Sequence, residues 1–142
     1  MSWPIWNPMR RNKRALLILL CSVLFAGVLG GCSNDPDFYI HKQWDQWKIK
    51  LETRPHPIQP GHNEFLIHIV GPHQKLPNGM IVRYRMSPKD PWIQAMPDGL
   101  SDVFRRALTV RDPKHAMLYV HLKYFDKQTV LVFDLSKTLE HP

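Results

Sequence analysis

Cysteine is nearly absent: 142 residues contain two, Cys21 and Cys32. Two thiols cannot build a disulfide-dense scaffold or a four-thiolate zinc site. No block of five or six like charges occurs after residue 31, and the Arg105-Arg106 doublet sits in a strand-like run. A solvated sheet face accounts for that doublet better than a phosphate-binding groove, so nucleic acid is not an expected partner. No Gly-x-Ser-x-Gly elbow surrounds Ser87, Ser101 or Ser136, and no carboxylate pair stands beside a glycine-rich stretch. Catalysis is therefore not expected. No convincing amphipathic helix, internal repeat or low-complexity segment is visible.

What is present is polarised along the chain. The formal charge is +7, but Arg10, Arg11, Lys13 and Arg14 supply four positive charges before residue 31, leaving 15 basic residues against 12 acidic ones. That cluster precedes the uncharged run ALLILLCSVLFAGVLGG over 15–31. A basic segment, an apolar segment and small residues before a cut describe a secretory signal. Leu29-Gly30-Gly31-Cys32 resembles the lipobox of bacterial lipoproteins, which implies cleavage between Gly31 and Cys32 and acylation of Cys32. An aliphatic residue three before the cut fills a peptidase pocket, two small residues let the backbone approach, and the thiol accepts the lipid. Cys21 follows the bulky Leu20 and does not qualify. The alternative is an uncleaved helix holding the chain in the inner membrane, since about 20 apolar residues, and roughly 17 at the short end, cross a bilayer. Translation from Met9 would give a tidier signal than translation from Met1.

The expected organisation is a signal peptide (1–31), a lipidated cysteine and tether (32–43), a β-sandwich (44–136) and a tail (137–142). The expected location is the cell envelope, with the protein anchored to the membrane by lipid. Because Ser33 rather than an aspartate follows the cysteine, a Gram-negative source would place it at the outer membrane facing the periplasm.

Period-two alternation dominates the mature part. Strands are predicted over 44–51, 63–70, 80–86, 103–110, 116–124 and 129–135, with prolines and glycines falling between them. Phe65, Ile67 and Ile69 share one face; so do Met80, Val82, Tyr84 and Met86. In the best-marked strand, Ala116, Leu118, Val120, Leu122 and Tyr124 share one face as well. Half-buried alternating strands of this number point to an all-β fold, a small antiparallel sandwich, with a small open barrel as the alternative.

The segment Thr53-Arg54-Pro55-His56-Pro57, then Gly61-His62-Asn63-Glu64-Phe65 and an aliphatic strand, resembles the YtkA-like domain and its FixH-like relatives. Leu76-Pro77, the strand over 82–86, a Met-containing loop and Phe104 continue the likeness across roughly residues 44–135. The Pro-Gly expected before the aromatic strand is replaced by Ser101-Asp102-Val103. The resemblance implies an immunoglobulin-like sandwich on the export side of a bacterial membrane, in a family associated with copper handling and cytochrome oxidase assembly.

Eight histidines are scattered through the chain: His41, His56, His62, His68, His73, His115, His121 and His141. His68 and His121 lie within predicted strands, whereas His56, His62 and His73 flank the second strand. Met86 and Met96 bracket SPKDPWIQA in the longest loop, and soft thioethers suit Cu(I) outside the reducing cytoplasm. The weak metal candidates are therefore Met86, Met96, His56 and His62, against plain packing of the methionines and anchoring of the loop by Trp92. Two functions follow. The first is a lipid-anchored module binding envelope proteins, with no cofactor; the alternative is a copper-handling accessory protein. Pro88, Pro91 and Pro97 stiffen the long loop, and Trp92, Ile93 and Met96 predict that it folds back onto the sandwich.

Overall fold

The computed structural model describes residues 39–99 and 102–140, together with Ser2. The signal segment and Cys32 lie outside the described residues. Among the described residues, nine strands follow in chain order: β1 (Ile40–Trp44), β2 (Trp47–Arg54), β3 (Gly61–Val70), β4 (Ile81–Arg85), β5 (Ile93–Gln94), β6 (Met96–Pro97), β7 (Val103–Val110), β8 (Met117–Tyr124) and β9 (Lys127–Asp134). They form two sheets, a five-stranded one in the order β1-β2-β3-β7-β6 and a four-stranded one in the order β5-β4-β8-β9. All neighbouring pairs are antiparallel. Leaving aside β1, this is the strand order of an immunoglobulin-like sandwich, in which sequence neighbours β3 and β4 belong to opposite sheets.

The alternation read from the sequence builds the core. Phe65, Ile67 and Ile69 from one sheet meet Val82, Tyr84, Leu118, Val120 and Leu122 from the other, all essentially without solvent exposure. Tyr84 is fully buried, and its hydroxyl donates to the Phe104 carbonyl across the sandwich at 2.7 Å. Burial pushes this phenol well above its ordinary value of 10, so it remains a neutral donor. Trp47 closes one end of the core, with Tyr124 edge-on at a centroid distance of 5.1 Å. Gly71 is required there by space: a Cβ at this position would stand 2.9 Å from the Trp47 ring.

Several boundaries differ from expectation. The segment 44–51 is not one strand but the middle of a hairpin, because the chain reverses at Asp45 (φ 52) and Gln46 and pairs Trp44 with Trp47. Residues 40–43, expected in the tether, thus form β1. The last hairpin turns on Phe125 and Asp126, so Lys127 and Gln128 belong to β9 rather than to the turn. Thr138, expected in a tail, is buried in a 3₁₀ turn (Leu135–Leu139). Its hydroxyl donates to the Leu135 carbonyl at 2.7 Å and accepts from the Ile58 amide at 3.4 Å. That couples the chain's last turn to the β2–β3 connection.

The expected fold-back of the 87–102 loop is present. Ile93 pairs with Tyr84, and the Ala95 amide donates to the Val82 carbonyl at 2.9 Å. Met96 and Pro97 then cross to the other sheet and pair with Arg105 and Phe104. The loop is thus the strap that passes from one sheet to the other.

Candidate functional site

The β4–β5 connection, the β7–β8 connection and the start of β8 meet at one end of the sandwich. They enclose an open hollow of about 760 Å³. This size lies within the range of small-molecule sites. The apolar part of the lining comes from Met86, Ile93, Leu108, Ala116 and Met117. Met86, Ile93 and Met117 are half-buried at or beside strand ends, whereas Leu108 and Ala116 belong to the buried core. The polar rim carries Arg85, Lys89 and Arg111 as cations, with Asp90, Asp112 and His115 beside them.

Each rim group has a traceable position. Asp112 caps the 3₁₀ turn Pro113–His115, accepting from the Lys114 amide at 3.0 Å and from His115 Nδ1 at 2.7 Å. These two bonds hold its carboxyl below the ordinary 3.8, with the imidazole as the larger cause. An ionised carboxylate only accepts, so the proton is on Nδ1 and Nε2 faces away from Asp112. Arg85 lies against two rings, its guanidinium carbon 4.1 Å from the Trp92 centroid and 5.6 Å from that of Tyr119. Trp92 also tilts over His121 at 5.5 Å. Among the described residues, no carboxylate pairs with Arg85, Lys89 or Arg111.

The residues singled out from the sequence are divided by the fold. Met86 follows β4 and lines the hollow, while Met96 is 60% exposed on β6 in the other sheet and lines a separate shallow recess with Glu64 and Arg105. His56 and His62 lie at the hollow's end of the sandwich, before and at the start of β3; His73 follows β3 and lies at the opposite end. His62 reaches the hollow's wall indirectly, with Nδ1 at 3.5 Å from the Thr109 hydroxyl. Asn63 is consumed by the turn that precedes it. Its side chain bonds Gln59 in both directions (2.9 and 2.7 Å) and donates to the Gly61 carbonyl. Among the described residues, no three His, Cys, Asp or Glu side chains gather into a metal-binding group.

Sequence reasoning missed Met117, His115, Arg85, Lys89 and Arg111 as companions of Met86. One local signal was available: Asp112-Pro113-Lys114-His115 spaces a carboxylate and an imidazole for a turn-capping pair. The rest depends on which strand ends become neighbours. Among the described residues, no helix is long and apolar enough to cross a membrane. Comparison with protein-family models, curated proteins and solved structures returned no match.

Proposed function

We propose that this chain is a lipid-anchored envelope protein whose sandwich is a binding module without catalytic chemistry. The observation that carries the reading is the hollow, lined by apolar residues and by three cations that have no carboxylate partner among the described residues. Such a surface suits recognition, since charge and apolar area are presented together. Ser87 lies at this site, and its Oγ accepts from the Lys89 amide at 3.2 Å, the arrangement of a turn and not of a nucleophile held by a base. Anchoring rests on Leu29-Gly30-Gly31-Cys32 behind the basic cluster. The likeness to YtkA-like domains agrees with an export-side sandwich and belongs to this proposal.

Cys32→Ser tests the anchor. The variant should lose fatty-acid labelling and accumulate as an uncut precursor; labelling that persists in it would overturn the lipoprotein assignment.

A copper-handling role is favoured by one specific observation, that Met86, Met117 and His115 line the same hollow. Thioethers, and an imidazole oriented through Nδ1 by a carboxylate, are donor types that suit Cu(I). Met96 is not part of it. Competition for Cu(I) against a chromophoric chelator should then show uptake that Met86→Ala and Met117→Ala each weaken and Met96→Ala does not. Equal uptake by all three variants would remove this role.

A further inference from the structure

We infer that the hollow beside Arg85, Lys89 and Arg111 binds a small organic anion with a flat apolar body. The inference rests on reading the sandwich as a binding module and names the chemistry of its ligand. Charge comes first. Of the two acids at the rim, Asp112 is committed to the Lys114 amide and to His115, so its charge is already matched. Asp90 then faces three cations that have no carboxylate partner among the described residues. The balance attracts an anion and repels a divalent cation.

Preorganisation comes second. Arg85 is oriented by rings instead of by an acid, through Trp92 and Tyr119. Stacking fixes the plane of the guanidinium and leaves its N–H edges without a competing carboxylate, and its Nε is buried with no hydrogen-bond acceptor. An incoming carboxylate or sulfonate thus meets a guanidinium already held in place, with little ordering left to be done.

The floor comes third. Met86, Ile93, Leu108 and Met117 would do nothing for a bare inorganic ion, which keeps its hydration. Methionine thioethers adapt their shape to an aromatic or aliphatic body. The volume of about 760 Å³ accommodates such a body together with its acidic group.

The test uses the full chain in a sugar-headed detergent, titrated calorimetrically with naphthalene-2-sulfonate and with the neutral naphthalene-2-sulfonamide, each corrected against detergent alone. The sulfonate should bind at least about tenfold tighter than the sulfonamide, a margin of about 1.4 kcal/mol. Arg111→Gln and Lys89→Gln should each weaken it several-fold, while Lys48→Gln, on a strand end at the opposite pole of the sandwich, should leave it unchanged. Met117→Glu should reject the sulfonate and still admit the sulfonamide. Melting curves of the variants show whether a loss of binding is a loss of folding; the Lys89 and Arg111 side chains stabilise nothing else visible, so their melting should match the parent. Equal binding of both probes, insensitive to Arg111→Gln, would overturn the anion preference and leave the binding-module reading standing. Binding of neither probe would overturn both.

Discussion

On the outer face of the five-stranded sheet, Arg54 and His68 share the buried Glu52 carboxylate. On the four-stranded sheet, Arg85 lies against Trp92 and Tyr119 with no described carboxylate paired to it. The contrast follows from composition and register. β2 and β3 each carry a glutamate, and the pairing of Lys50 with His68 and Glu52 with Leu66 brings Glu52 beside its two donors. Glu52 is only 2% exposed, with Arg54 Nε at 2.6 Å and His68 Nε2 at 2.9 Å. Arg105 completes the pattern more loosely, 3.9 Å from Glu64 and 4.0 Å from Asp98. In β4, β5, β8 and β9 the one acid is Asp134, and Ser136 occupies it. Arg83 therefore pairs across the ladder with His121, and Arg85 with Tyr119. On the first face a buried carboxylate holds Arg54 and His68, while Lys50 beside them stands over the Tyr39 ring; on the second, rings hold Arg85 and leave its charge to solvent or to a ligand.

Removing the acid from the neutralised face should have the largest effect. Glu52→Gln keeps the shape but loses two charge-assisted bonds, and the buried amide cannot serve both partners equally well. A loss of about 2 kcal/mol is expected, discounted toward the lower end because Arg54 is 57% exposed and can turn to water. Thermal unfolding reads this as a fall of the order of 10 °C for a domain near 100 residues. A fall no larger than that of Trp92→Ala would mean that the carboxylate does no more for its face than the rings do for theirs.

Trp92→Ala probes the other face. Trp92 is half-buried on Arg85 and His121, so the variant should lose about 1 kcal/mol from stacking and contact area. The loss stays modest because Ile93 and Ala95 tie the strap to β4 independently of the indole. Chemical denaturation with a matched Trp92→Phe variant checks this: phenylalanine should recover part of the loss. A Trp92→Ala loss as large as that of Glu52→Gln would show that the rings, and not the strand pairing, hold the strap down.

These two faces also mark where sequence reading succeeds and where it stops. Alternation in β3, β4 and β8 was legible because each buries one face continuously, and any one-residue slip would put Ile67, Tyr84 or Val120 into water. The reversal at Asp45 was not, since no glycine or Asn-Gly pair marks it. Arg106 breaks the pattern from the other side. It occupies the inward-facing register between Phe104 and Leu108 and stays half-exposed, because only the two residues of β6 flank β7 there. Such a charge near a sheet margin discourages further strand pairing. As for the site, Met86 and Met96 are near in sequence and belong to different sheets, whereas Met86 and Met117 are far apart and line one hollow. Linear spacing cannot report that, because the hollow is assembled from strand ends that only the sheet order brings together.

The smallest effect is expected at the lone acid of the four-stranded sheet. Asp134 accepts from the Ser136 amide at 3.0 Å and from its hydroxyl at 2.6 Å, capping the last 3₁₀ turn. These bonds, the hydroxyl foremost, lower its carboxyl below the ordinary 3.8. A carboxyl lowered on folding contributes stability that is complete above its unfolded value and is lost as pH falls through the lower folded value. The window therefore lies below about pH 4, and at neutral pH the contribution is constant. Asp134→Asn retains an acceptor for the Ser136 amide but no charge. It should cost only a few tenths of a kcal/mol at pH 7, since the group is near solvent. Its difference from the parent should shrink toward zero as the solution is taken to pH 2.5, which melting curves across that range would follow. A difference that instead grows on acidification would reverse the sign and place the stabilising charge elsewhere, on a group that binds its proton more tightly in the folded chain.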